Sequence, residues 1–255
     1  MEDIMALSSM LDEYFWQGFI VFLRVAAVTS LLPGFGGQTV SVRIKLIIAL
    51  AFTAIIAPSI EFPSFVSNVE SLTRLMLVET LTGLLIGIGV RLFILALQTA
   101  GAIAAQSTSL SQLLGGAVAE PLAAIGYILT MGAIALAMIA GLHVKVASTV
   151  ILSYQILPVG MFVTGSQVVE WGVNQISNAF QLAFVLSAPF VLVSILYNLA
   201  LGAINKAMPQ LMVAFVGAPV ITFGGLFLLF VASPFLLTNW VKALDLFLAK
   251  PFGNF

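Results

Sequence analysis

Three ionisable side chains stand inside long apolar runs of this 255-residue sequence: Arg24, Glu79 and Arg91. Each costs roughly 3 kcal/mol to place at the centre of a lipid bilayer. Each must therefore face protein, a cavity or an opposite charge. Two readings are open on the residues alone: a polar pathway, or buried pairs that fix packing. A fourth charge, Lys206, lies between two uncharged stretches, 171–205 and 207–241. The single histidine, His143, sits beside Lys145 where an apolar run breaks, and is read as structural. The sequence holds no HExxH, no GxSxG, no acid pair at helical spacing and no Gly-rich loop ending in Lys-Ser/Thr. Cysteine is absent, which removes disulfides, thiolate nucleophiles and thiolate metal sites. The reading is a non-enzyme with no catalytic residue, metal ligand or cofactor.

The elements that hold these charges must be of the membrane class. The chain is 61% hydrophobic and 7% charged, with net charge −1, and its mean hydropathy is +1.18. Soluble domains carry about 25% charged residues to keep their surfaces solvated. Lipid or other apolar protein must be the solvent here, and no basic patch for nucleic acid is present. The start, Met1-Glu2-Asp3-Ile4-Met5, lacks a basic stretch and a small-residue cleavage site, so the first apolar run is expected to be retained.

Apolar segments fall at 15–33, 44–60, 75–105, 122–142, 144–160, 178–205 and 211–241. Gly and Pro punctuate them at Pro33 to Gly37, Pro58 to Pro63, Gly115 to Pro121, Pro158 to Gly160, and Pro209. The runs are continuous and do not alternate, which argues for helical hairpins against a β-barrel. The third run is too long for one untilted span. The fourth and fifth read as one broken helix or two short ones. Ahead of the first run, Ile4, Leu7, Leu11 and Tyr14 share a helical face, as in an amphipathic lead-in to the first span or an interfacial or docking helix. Gly83 with Gly87, and Ala133 with Ala137 and Gly141, form small-residue faces that suit close packing inside the chain, with a partner interface as the alternative.

Charge bias gives no consistent topology. Arg43 and Lys45 place the first loop in the cytoplasm. Six spans then put Lys242 and Lys250 outside, while seven spans put Lys206 outside. The conflict points to helices that do not all cross a bilayer in the ordinary way. The stretch Gln106 to Pro121, with Ser107, Ser109, Leu110, Leu113, Leu114, Gly115, Gly116 and Glu120, is polar at its start and flexible within. It reads either as a re-entrant loop or pore plug, covered by protein or lining a cavity, or as an ordinary loop on one side.

These residues resemble the FliR family of the flagellar type III export apparatus and its SctT-type injectisome relatives, over roughly residues 14–245. The most specific block is Asn198-Leu-Ala-Leu-Gly202, Asn205-Lys206, Pro209-Gln210 and Val216-Gly217-Ala218-Pro219. A second is Arg24 with Pro33, then Val42-Arg43-Ile44-Lys45 and Ile56-Ala57-Pro58. A third is Gln98-Thr99-Ala100-Gly101, leading into the Gln106 loop. The chain departs from the family pattern with Lys206 for the usual Arg, with Glu120-Pro121 for Asp-Pro, with Leu142-His143 in the turn after Gly141, and with a Ser-rich loop that lacks aromatics.

The resemblance implies an all-α integral membrane protein that is a single export-gate domain over 1–255. Residues 1–175 would form a FliP-like part and 176–255 a FliQ-like part. It implies a substrate-conducting pore built with FliP- and FliQ-like subunits beside an FlhB-like neighbour, in the bacterial inner membrane at the flagellar basal body. Unfolded flagellar proteins would pass in transit. Gln106–Pro121 would be the plug, with Gly115 and Gly116 letting it move aside. Arg24, Arg43, Glu79, Arg91, Asn198, Gly202, Asn205, Lys206, Pro209, Gln210, Gly217 and Pro219 would serve packing and assembly. A secondary transporter or ion channel is the competing class, since it too would show broken helices and intramembrane charges.

Overall fold

The computed structural model describes residues 2–37, 40–60, 69–108, 124–161, 163–208 and 213–253, with side chains over 14–37, 40–60, 72–107, 125–161, 163–208 and 220–253. Among the described residues, seven α-helices follow in order: α1 (Glu2–Leu31), α2 (Val42–Ile56), α3 (Val69–Thr108), α4 (Ala124–Ile139), α5 (Leu142–Ile156), α6 (Gly165–Ala207) and α7 (Val213–Ala249). A short 3-10 turn, Ala57–Ser59, extends α2. No strand occurs among the described residues. Five helices are long and apolar enough to cross a membrane, or six if the bent α4–α5 pair is one span.

Local chemistry sets the ends. α1 stops before Pro33 and Gly34, whose φ of 84° suits glycine alone. The Gly36 amide then bonds the Leu32 carbonyl at 2.7 Å. Pro58 closes α2. α4 and α5 are two helices rather than one, bent by 72° at the break, where Gly141 takes a left-handed φ of 79°. α6 ends at Ala207, short of Pro209.

The apolar runs underestimated several elements. The acidic N-terminal stretch is part of α1, continuous with the first span; of its expected apolar face, Tyr14 is exposed, and the side chains of Ile4, Leu7 and Leu11 lie outside those described. The third run belongs to a single helix of 40 residues, ~60 Å long at 1.5 Å per residue. α6 starts at Gly165, well ahead of the apolar run. The cause is a Gln side-chain cap: the Thr164 amide and hydroxyl both donate to Gln167 Oε1, at 3.0 and 2.7 Å, and the Val168 amide makes the first helix bond, to the Thr164 carbonyl at 3.1 Å. The Thr-x-x-Gln pattern was available in the sequence. α7 runs on to Ala249, through Lys242 and Asp245.

The chain forms two compact units. The first contains Met1–Leu92, Met138–Gln175 and Leu244–Phe255. α1 packs on α2 there, and Val21, Val28, Ile56, Ile86, Leu142 and Val150 are buried. A Cβ on Gly83 would run into the Arg24 carbonyl and sit 2.8 Å from the Ala27 Cβ, and one on Gly87 would lie 3.0 Å from Leu31. The Gly83–Gly87 face therefore packs α3 on α1 inside the chain, as the spacing suggested. The second unit contains Phe93–Ala137 and Ile176–Ala243. Its core holds Leu97, Leu129, Ala133, Leu186, Phe190 and Trp240. Gly101 and Gly126 touch there with no room for a side chain on Gly101, and Trp240 Nε1 donates to the Phe93 carbonyl at 2.8 Å.

Candidate functional site

The densest polar chemistry in the first unit surrounds Arg24. α1 places this side chain at 0% exposure against the equally buried Glu79 of α3, with Arg24 Nε 2.7 Å from Glu79 Oε2. α5 supplies the rest of the shell. Arg24 Nη1 donates to Ser153 Oγ at 3.0 Å, and Nη2 donates to the Leu157 carbonyl at 3.1 Å. The guanidinium carbon lies 3.6 Å from the centre of the Tyr154 ring, a cation–π contact. The Tyr154 hydroxyl donates to Glu79 Oε2 at 3.2 Å. The other carboxylate oxygen, Oε1, accepts from the Gly160 amide at 3.0 Å.

Every donor here has a job in holding the chain. Leu157 is the C-cap of α5, and its carbonyl is among those a helix end leaves without an internal partner. The arginine cation meets it there, where the helix dipole favours positive charge. Glu79 holds the other side of the same turn through Gly160, whose φ is 76°. A Cβ at Gly160 would also lie 2.7 Å from Leu75 Cδ1. The pair thus ties α1, α3, α5 and the Leu157–Gly160 turn together. Of the two sequence readings, a buried pair is the one realised for Arg24 and Glu79. No buried side-chain N or O atom lacks a partner among the described residues. A hollow of about 520 Å³ beside it is lined by Ser59, Ile60, Ile151, Tyr154, Gln155, Pro158 and Val159.

A second set of polar contacts docks the chain's last turns into the same unit. Lys145 Nζ reaches Asp245 Oδ1 at 2.7 Å, both partly exposed. Thr149 Oγ1 donates to the Leu248 carbonyl at 2.8 Å, and Trp171 Nε1 to the Pro251 carbonyl at 2.8 Å. Phe252 is buried and lies against Trp171.

The other expected positions spread out. Arg91 is exposed on α3, with no ion pair among the described residues, so Arg24 and Glu79 meet without it. Arg43 is exposed at the start of α2. Neighbouring Lys45 donates to the Gly36 carbonyl at 3.0 Å. Asn198, Gly202, Asn205 and Lys206 lie exposed along the last turns of α6. Asn198 Nδ2 bonds Ser194 Oγ at 3.2 Å, and Ser194 Oγ donates to the Ser107 carbonyl. A Cβ on Gly202 would meet nothing within 4 Å. Of the expected plug, Gln106 is exposed and Ser107 half-buried at the end of α3. Ser109, Leu110, Leu113, Leu114, Gly115, Gly116, Glu120 and Pro121 lie outside the described residues, as do Pro209 and Gln210. Gly217 and Pro219 lie within α7.

Sequence reasoning passed over Tyr154, Ser153, Gly160 and the Lys145–Asp245 pair. A signal existed for Ser153. Val146, Thr149, Val150, Ser153 and Leu157 recur at helical spacing and are all buried, so polar members of that line needed partners.

The matching of known proteins is consistent along the chain. Residues 15–247 match the family model for bacterial export proteins, family 1. The flagellar biosynthetic protein FliR of Caulobacter vibrioides is 31% identical over 236 residues, covering 89% of this chain and 94% of that protein. The protein of the same name from Escherichia coli is 28% identical, over 89% of this chain and 86% of its own length. That from Bacillus subtilis is 26% identical, over 79% and 80%.

Proposed function

The chain belongs to the FliR family of bacterial export proteins, and from that premise we propose that it is a non-enzymatic subunit of a flagellar protein export gate. In this reading it builds a polypeptide-conducting pore with FliP- and FliQ-like subunits, beside an FlhB-like neighbour, in the inner membrane at the flagellar basal body. Residues 1–175 act as the FliP-like part and 176–255 as the FliQ-like part. Gln106–Pro121 is the plug that closes the pore at rest.

One observation carries the assembly reading. The uncharged stretch 171–205 lies in one continuous helix, α6, and spans ~50 Å at 1.5 Å per residue. A bilayer core is only ~30 Å thick. Yet Phe180, Phe184, Leu192, Leu196, Leu199 and Ile204 are exposed along it. α7 exposes Phe223, Phe227, Phe230 and Phe235 over a shorter stretch. On α6 the exposed apolar line runs from Val169, Val173 and Ile176 through to Ile204, longer than a bilayer core, and apolar protein covering the remainder fits that length. Packed subunits of a gate would supply that cover.

The plug is tested by removing residues 110–118. The expected result is continued assembly with increased small-ion leakage through the gate. Unchanged leakage in an assembled gate would remove the plug assignment. A strain lacking this chain altogether should export no flagellar subunits; normal export there would overturn the functional reading itself.

A further inference from the structure

The first turns of α6 carry a polar face that the buried cluster and the packing leave unused, apart from Gln167, whose Oε1 caps the helix start. At 3.6 residues per turn, Gln167, Glu170, Asn174, Ser177, Asn178 and Gln181 fall on one arc about 100° wide. No apolar residue of 165–183 shares that arc. All six are exposed or half-buried. Beside them Val169, Val173, Ile176 and Phe180 form a second exposed line, wholly apolar. Farther along the helix the polar arc changes character. The positions in register with it become Val185, Leu192, Leu196 and Leu199, all exposed. One face of one helix thus switches from hydrogen-bonding to apolar between Gln181 and Val185.

Such a switch marks a boundary between two surroundings. Lipid cannot cover six hydrogen-bonding side chains without a cost for each unpaired group. A protein neighbour would need a matching partner for every one, whereas water satisfies any geometry. A hollow of about 350 Å³ opens at the base of the arc, lined by Gln167, Glu170, Trp171, Asn174, Gln175, Phe252 and Gly253; it has room for roughly ten waters at ~30 Å³ each. A wall facing bulk solvent would normally be rich in charge, near 25–35%. This arc has one acid and otherwise neutral amides and a hydroxyl. Neutral amides bond weakly to any backbone and hold neither cationic nor anionic segments.

We propose that this arc lines the water-filled path of the exported chain, with the edge of that water at Gln181–Val185. The inference rests on the export-gate reading and adds a wall to it. The absence of cysteine makes the test direct. Single substitutions Gln167→Cys, Asn174→Cys, Asn178→Cys and Gln181→Cys are compared with Val169→Cys, Val173→Cys, Ile176→Cys and Phe180→Cys, using variants that still support export. A small membrane-impermeant thiol reagent should label the first group at least tenfold faster, since the reaction needs a hydrated thiolate. Equal rates, or an inert polar line, would overturn the hydrated face. Labelling is then repeated with an export substrate fused to a domain that cannot unfold. A stalled chain should cut labelling of the polar line at least fivefold. Export blocked by the stalled substrate with labelling unchanged would overturn the passage wall and leave the export role standing. Normal export in a strain lacking this chain would overturn the export role instead.

Discussion

Arg24 and Glu79 are the chain's most consequential single residues. A buried ion pair contributes little net stability over an apolar replacement, but losing one partner leaves an unpaired buried charge that costs about 3–5 kcal/mol. Arg24→Ala or Glu79→Ala is therefore expected to lower the thermal stability of the purified protein sharply and reduce its level in membranes. Replacing both together, as Arg24→Met with Glu79→Leu, should recover much of that loss. A double variant as unstable as the sum of the singles would contradict the paired account. Tyr154→Phe should cost only about 1–2 kcal/mol, because it removes the hydroxyl bond to Glu79 and keeps the ring face under the guanidinium. Gly160→Ala should cost about 1–2 kcal/mol for a left-handed backbone, with a further penalty from Leu75, read as a fall in Tm. Both charged residues were legible as unusual from the sequence. Their pairing was not, because 55 residues separate them and Arg91 stood as an equal candidate.

At the scale of elements, glycine spacing was the most reliable sign. Gly83 and Gly87 do bring α3 against α1, and Gly83 meets backbone there rather than a side chain that can swing away. Gly83→Leu should thus prevent the close approach, cost at least ~1–3 kcal/mol, and abolish recovery of folded protein from membranes. Gly202→Ala, with open space around its Cβ, should leave folding of the isolated chain unchanged; a Tm loss there comparable to Gly83→Leu would show that the glycine faces have been misread. Helix extents were harder to read. Hydropathy placed the start of α6 at 178, whereas the Thr164–Gln167 cap starts it at Gly165. Polar residues on one face of a helix lower its mean hydropathy without ending it. Pro189 and Pro234 both fall inside helices, each just after a serine that bonds back to its own helix. Ser187 and Ser233 bond the carbonyls of Phe184 and Phe230, at 3.1 and 3.3 Å.

At the scale of the molecule, the failed charge-based topology now has a physical setting. Residues 171–205 lie in a helix that outruns a bilayer core, so counting spans from hydropathy assigns apolar surface to lipid that lipid cannot reach. The class of fold was open to reading from composition together with the unbroken apolar runs. What covers the exposed apolar faces was not, because a single sequence records no neighbour. Mild extraction from native membranes, copurification on a tag carried by this chain, and native mass determination measure that cover directly. The account predicts one large complex containing this chain with FliP- and FliQ-like subunits. A stable monomer that binds a small solute would contradict it, and would favour a transporter.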